Sequence, residues 1–364
     1  MTRINPGNER IKRRYTDYLK EARGLSDQTI KQALGAIAAF EAFANGADFK
    51  SARDGDAKAF RKHLLDNGGR EAAARSNRAT VNGIVIKLRG FFAWLAREPG
   101  MRKALSGFNP DFFNLSMRDV RIANTRCEKP SPTLADIQLT IRKMPADTDI
   151  QKRDRAVVAL ILLTGIRVKA LTTLKLKHVR ADRRGIDQDA RDVETKLGKS
   201  FPSFFFPVGE DIEQAFLDYV DFLEAKLGFG PDDPLFPSTR QGVCGKGVIE
   251  VIGLTRMHWK TTDMVRLIFK RAFDATGVPN QGPHAIRRTL ALLGQQLCRT
   301  PEQLKAWSQN FGHQRVLTTI SAYGAVSAAR QAEIIRLVTT EKERGRLNES
   351  EAQLLRNLLD RMID

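Results

Sequence analysis

The chain has 364 residues, 42% of them hydrophobic, with 60 Lys and Arg against 42 Asp and Glu and a net charge of +18. That length exceeds one ordinary core and suggests two domains, while no run of roughly eighteen apolar residues offers a membrane span and the start, MTRINPGNERIKRRY, shows no hydrophobic signal region, so a soluble cytoplasmic protein with no membrane partner is expected. Such a positive excess is costly in self-repulsion unless a polyanion meets it, which points to nucleic acid and leaves a generically basic, ribosome-associated protein as the other reading.

Residues 1–120 carry 22 basic and 13 acidic side chains and the remaining 244 carry 38 and 29, so the first third is about twice as densely charged. It reads as four helices. One is expected near 7–22, and a second follows the N-cap residue Ser26 with Ile30, Leu34, Ile37 and Phe40 on one side. A third is expected near 53–66. The fourth follows DNGGREAAARSN and places Val81, Ile84, Val85, Leu88, Phe91, Phe92 and Leu95 on one face. Arg78, Lys87 and Arg89 are left for other directions and are candidate DNA contacts.

From residue 99 to 131 regular patterning fades into Gly, Pro, Asn and charges, which reads as an interdomain linker whose Arg118, Arg121, Arg126 and Lys129 could touch phosphates. Thr133 and Asp136 then resemble a capping box. The unbroken apolar run Ala156 to Leu163 ends at Gly165 and reads as a buried helix stopped by that glycine. In RDVETKLGKSFPSFFFPV two runs flank the turn KLGKS, as in a short hairpin with Lys196 at its tip. Helices are expected over 209–227, 260–276, 284–297 and 301–310. Cys127, Cys244 and Cys298 lack metal-ligand spacing, so no metal or cofactor is expected.

Arg167, two residues after the glycine stop, Lys196, His284 with Arg287 one helical turn apart, His313 and Tyr323 complete the candidate set. Taken singly, each has an ordinary reading as a solvated charge or a cap. Together TGIRVKALTTLKL, TKLGKS, HAIRRT and FGHQRVLTTISAYG occur in the order and approximate spacing of the tyrosine recombinase family, which the chain resembles. The resemblance implies a mainly α fold: a four-helix, SAM-like core-binding domain over 1–98, the linker 99–131, and a mixed α+β catalytic domain over 132–340 with a small antiparallel sheet. It implies Tyr323 as nucleophile, Arg167 and Arg287 on the nonbridging phosphate oxygens, His284 as proton acceptor, Lys196 as general acid and His313 as hydrogen-bond donor. Double-stranded DNA and a tetramer on it would be the partners, in a cytoplasmic protein associated with the nucleoid when bound.

The sequence departs from the family pattern in places. Ala170 stands where a Glu is usual, Arg288 where a His is frequent, and the gap from His313 to Tyr323 is one residue longer than the commonest form. Lys199 competes with Lys196 for the general-acid role. Arg288 and Lys199 also count as candidate DNA contacts. Two rival functions share the pattern, a noncatalytic sequence-specific DNA-binding protein and a monomeric topoisomerase. Residues 341–364 read as a C-terminal helix: Asn348 and Glu351 make a cap, and Leu354, Leu355, Leu358 and Met362 form a stripe that docks either on a neighbouring protomer or on its own domain.

Overall fold

Helical periodicity decides most of the architecture, and each of the two units, residues 1–127 and 128–364, closes around its own core. The computed structural model describes residues 5–67, 74–124, 131–243, 249–279 and 282–313. The candidate residues Arg126, Lys129 and Tyr323 and the expected C-terminal helix lie outside that set.

In the first unit α1 (Pro6–Asp17) continues through a π-helical turn (Tyr18–Ala22) and is followed by α2 (Asp27–Phe43), α3 (Asp54–Asn67), α4 (Ala74–Leu95) and α5 (Met117–Asn124). Asn5 starts α1 by accepting from the backbone N–H groups of Gly7 and Asn8 at 2.9 and 3.3 Å, with Pro6 in the first turn, where no intrahelical N–H is needed. Ser26 holds the N-cap position of α2 without capping a backbone N–H; its hydroxyl meets that of Thr29 at 3.0 Å. The expected stripe on α4 faces the core: Val81, Val85, Leu88, Phe91, Phe92 and Leu95 are at most 2% exposed, and Ile84 is partly buried beside them. Phe40 meets Phe60 and Phe92 edge to face at 5.3 and 5.4 Å, the arrangement the ring quadrupoles favour. Asn8, fully buried, donates to Glu41 Oε1 at 2.8 Å and to the Ala47 carbonyl at 2.9 Å and accepts from Phe49 N–H at 3.0 Å. A buried amide satisfied in this way locks α1 onto α2 and the turn after it.

Residues 99–124, read from sequence as the start of a linker, belong to this first unit. Met101, Leu105, Phe108, Phe113 and Leu115 are buried in its core, a 3₁₀ turn forms over Pro110–Phe113, and α5 follows. Their spacing has no helical or strand period because each drops singly into the aromatic cluster from irregular chain, so periodicity could not reveal them.

The second unit runs α6 (Leu134–Lys143), α7 (Asp149–Thr164), α8 (Val168–Leu171), β1 (Val179–Arg180), β2 (Gly185–Gln188), β3 (Phe201–Phe204), α9 (Glu210–Asp221), β4 (Pro237–Val243), β5 (Ile249–His258), α10 (Asp263–Asp274), α11 (Pro283–Leu297) and α12 (Pro301–Asn310). It is mainly helical with small antiparallel sheets, as expected. Thr133 and Asp136 form the reciprocal capping box on α6. Every residue of α7 from Ala156 to Leu163 is fully buried, as a helix apolar all round must be, and α6, α9, α10 and α11 pack against it.

The first sheet has the order β1–β2–β3, with Gly185 opposite Phe204 and Gln188 opposite Phe201, and the loop 189–200 carries Lys196. The strand that enters this loop is Gly185–Gln188 and not the run 191–195 read from sequence. The carbonyl of Asp189 accepts from Asp192 and Val193 N–H at 3.0 and 2.7 Å, which turns the chain and ends the strand early. A second hairpin, β4–β5, was not anticipated: its first strand, PSTRQGV, opens on Pro, contains Gly and is bulged. Its root is fixed by Arg153, which is 1% exposed and donates to the Pro237 carbonyl at 2.9 Å and Thr239 Oγ1 at 3.0 Å.

Candidate active site

Two glycine turns set the site. Gly165 ends α7 in the left-handed region (φ 61°), where a side chain is strained, and a Cβ there would meet Phe311 Cε1 at 2.5 Å. The chain therefore reverses tightly and Arg167 emerges as the N-cap residue of α8. Gly312, also left-handed (φ 68°), lies against the Phe201 ring, and its turn sends His313 back toward the same place. Pro283 opens α11, four residues before Arg287.

These turns converge on Phe311, a residue 2% exposed. Its carbonyl oxygen accepts from Arg167 Nη1 at 3.4 Å and from Arg287 Nη2 at 3.3 Å, and its ring lies 4.9 Å under the Arg287 guanidinium. Arg287 Nη1 also donates to the carbonyl of Gly165, and Arg287 Nη2 stands 3.4 Å from His313 Nε2. Ala170, the position of the usual carboxylate, is buried at 1% exposure, while main-chain carbonyls hold both guanidiniums. Neutral acceptors orient a cation without cancelling its charge.

The electrostatics follow from that geometry. Partial burial lowers the Arg167 pKa. His313 is pushed down to about 4, by burial first and then by Arg287, Arg167 and Lys196. Lys196 is exposed on its loop, close enough to bear on His313. His284, exposed along one edge, is also lowered, by burial and then by Arg287, Arg167, Arg266 and Arg288. At neutral pH both histidines are therefore uncharged, able to donate through one ring nitrogen and accept through the other.

Arg167, Arg287, His284, His313 and Lys196 thus share one neighbourhood. Lys199 is half-buried in the Lys196 loop and Arg288 half-buried on α11. In the first unit Arg78 pairs with Asp119 at 3.1 Å, Lys87 donates to the Gly83 carbonyl at 3.2 Å, and Arg89 donates to Asn114 Oδ1 at 3.1 Å. Arg118 and Arg121 are exposed. Sequence reasoning passed over Phe311 and Asn310. The Asn310 amide donates to the Phe204 carbonyl at 2.8 Å and accepts from Phe204 N–H at 2.6 Å, while Ser203 Oγ donates to the Asn310 carbonyl at 2.9 Å. The turn before His313 is thereby bolted to the strand leaving the Lys196 loop. The signal was the stretch NFG before His313, which reads locally as nothing more than a helix end.

The model of the phage integrase family matches residues 137–330, and that of the phage integrase N-terminal SAM-like domain matches residues 13–99. Tyrosine recombinase XerC of Ralstonia pickettii is 27% identical over 241 residues, 64% of each chain, and XerC 1 of Ralstonia nicotianae is 26% identical over 319 residues, 84% of this chain and 86% of that one. Among solved structures, a lambda integrase dimer bound to a COC′ core site gives a TM-score of 0.56 at 17% identity, covering 85% of this chain and 95% of that one. The Tn1549 transposon integrase in complex with circular intermediate DNA gives 0.56 at 17% identity, covering 89% and 98%. At such identities these structures speak for the fold. The catalytic family model spans more than half of the sequence, and the chain belongs to the phage integrase family, the tyrosine recombinases.

Proposed function

We propose that this protein is a site-specific recombinase that cuts and rejoins duplex DNA through a 3′-phosphotyrosyl intermediate and a Holliday junction. The observation that carries the reading is the convergence of two guanidiniums on the Phe311 carbonyl, with His313 Nε2 beside the Arg287 guanidinium. Arg167 and Arg287 hold the nonbridging oxygens of the scissile phosphate and neutralise the charge that builds there in the transition state. His313 donates a further hydrogen bond. Tyr323 gives its phenolic proton to His284, whose depressed pKa keeps it free to accept. The Tyr323 oxygen then forms a bond to phosphorus as the bond from phosphorus to the 5′ oxygen breaks, and Lys196 Nζ protonates the departing oxygen. The phosphodiester energy is retained in the new link, so the 5′ hydroxyl of a partner strand can reverse the step without ATP.

Exposed Arg118 and Arg121 are phosphate contacts in this reading, and four protomers act together on paired sites in the bacterial cytoplasm, on the nucleoid. A neighbouring structure with a TM-score of 0.55 at 17% identity, covering 88% of this chain and 79% of that one, is a lambda integrase tetramer bound to a Holliday junction, which supports the tetrameric form. Residues 347–364 dock on the adjacent protomer in the same proposal. The test uses a nicked duplex carrying the sequence that the protein selects from random DNA. The wild type traps a covalent adduct resistant to detergent, and Tyr323→Phe binds the duplex without forming it. An adduct with the Phe variant removes Tyr323 as nucleophile, and binding without any wild-type adduct leaves the noncatalytic reading.

A further inference from the structure

The loop that bears Lys196 is fastened on one side by contacts that the cleavage chemistry does not use. Val193 is 2% exposed and sits in the core of the second unit. On either side of it a carboxylate reaches outward. Asp192 accepts from Lys177 at 2.8 Å and Lys175 at 3.2 Å, and these contacts pull its pKa down to about 2. Glu194 accepts from Lys169 Nζ at 2.7 Å, and the Glu194 N–H donates to Thr173 Oγ1 at 2.9 Å. Lys169 lies within α8 and Thr173 just past its end, and α8 is the short helix that Arg167 opens. Beyond this stem the chain turns outward: Leu197 and Gly198 are both left-handed (φ 65° and 61°) and Leu197 is 79% exposed.

The arrangement has the form of a ruler. Glu194 precedes Lys196 by two residues, and its partner Lys169 follows Arg167 by two. Fastening Glu194 to Lys169 and Thr173 brings the stem of the Lys196 loop against the helix that Arg167 opens, and so narrows the range of positions open to Lys196. A misplacement of about 1 Å in such a pair costs on the order of a hundredfold in rate. An exposed lysine on an unfastened loop would have to find that geometry anew in each turnover.

We propose that Asp192, Val193 and Glu194 are positioning residues, and that their attachment to Lys175, Lys177, Lys169 and Thr173 registers Lys196 against Arg167. The proposal rests on the reading of Lys196 as general acid. Isolated surface ion pairs contribute little, so the test removes the attachments together, in the double variant Asp192→Asn/Glu194→Gln and separately in Thr173→Val. Each full-length protein is compared on two versions of the selected site, one with the ordinary 5′ oxygen at the scissile bond and one with sulfur in that place. A thiolate leaves without being protonated, because thiols ionise near pH 8.5, so only defects in delivering the proton are repaired by sulfur.

Lys196→Ala is expected to be slow on oxygen and restored on sulfur. The double variant is expected to be about tenfold or more slower on oxygen, with a rate within about threefold of wild type on sulfur, and Thr173→Val to change in the same direction. A double variant at wild-type rate on oxygen, or equally slow on both substrates through general damage, overturns the positioning role while Lys196 keeps its own. Failure of sulfur to rescue Lys196→Ala overturns the general-acid reading and the positioning role with it.

Discussion

Arg167 and Arg287 are half-buried, held by main-chain carbonyls and, for Arg287, an aromatic ring, whereas Lys196 stands exposed on a loop fastened at its stem. The difference suits the two tasks assigned to these residues in the proposed mechanism. Stabilising charge on a phosphate at its five-coordinate transition state requires cations already in place, since reorganising them during the reaction would consume the advantage. A proton donor has to reach one atom of a substrate that is present for only part of the cycle, and a registered but exposed side chain can meet that atom after DNA binds. The arginine seat is therefore a property of the core and the lysine a property of a loop.

The widest gap expected between the two regions is in cleavage rate. Arg167→Ala and Arg287→Ala should each lower single-turnover cleavage by at least about two orders of magnitude, the scale of a lost transition-state charge donor, on oxygen and sulfur substrates alike. Lys196→Ala should be slow on oxygen alone. Arginine variants rescued by sulfur would erase the distinction between the regions.

A smaller effect tests whether the seat is preorganised by the glycine turn. Gly165→Ala forces a left-handed alanine, costing about 1–2 kcal/mol, and brings its Cβ to 2.5 Å from Phe311 Cε1. Urea unfolding should show at least that loss of stability. Cleavage should fall in the folded protein as well, because Phe311 is the shared anchor of both arginines. Unchanged cleavage in the folded variant would detach the turn from the chemistry.

The subtlest effect is the protonation of His313. Its folded pKa of about 4 lies below the ordinary value of 6.5. Between these values the unfolded chain binds a proton that the folded chain excludes, so the contribution to stability is intact above about pH 6.5 and is lost as pH falls toward 4. His313→Gln should lose less stability than wild type between pH 7 and pH 4.5 in parallel urea titrations. Equal losses would mean that neither burial nor the neighbouring cations hold this ring's pKa down.

Much of this was legible beforehand. The stripe on α4, the capping box at Thr133 and Asp136, and the buried helix stopped at Gly165 all come from local rules in which neighbours three or four residues apart determine the outcome. The aperiodic core residues between Met101 and Leu115 and the bulged hairpin β4–β5 were not legible. Neither carries a local period, and each gains its order from partners distant in sequence, such as Arg153 reaching Pro237.

For the site the division runs the same way. Arg167, Lys196, His284, Arg287 and His313 were marked by the order and spacing of short motifs that resemble the tyrosine recombinase family, since each residue taken singly reads as an ordinary solvated charge or cap. Only the tertiary structure could decide what holds them. The absent carboxylate at Ala170 left the guanidinium anchors open, and the folded chain supplies them from the main-chain oxygens of Gly165 and Phe311. Every residue has such an oxygen, so no side-chain pattern can announce which one will be used. The choice follows from where α7, α11 and α12 end in space, and that is set by the packing of the core they share.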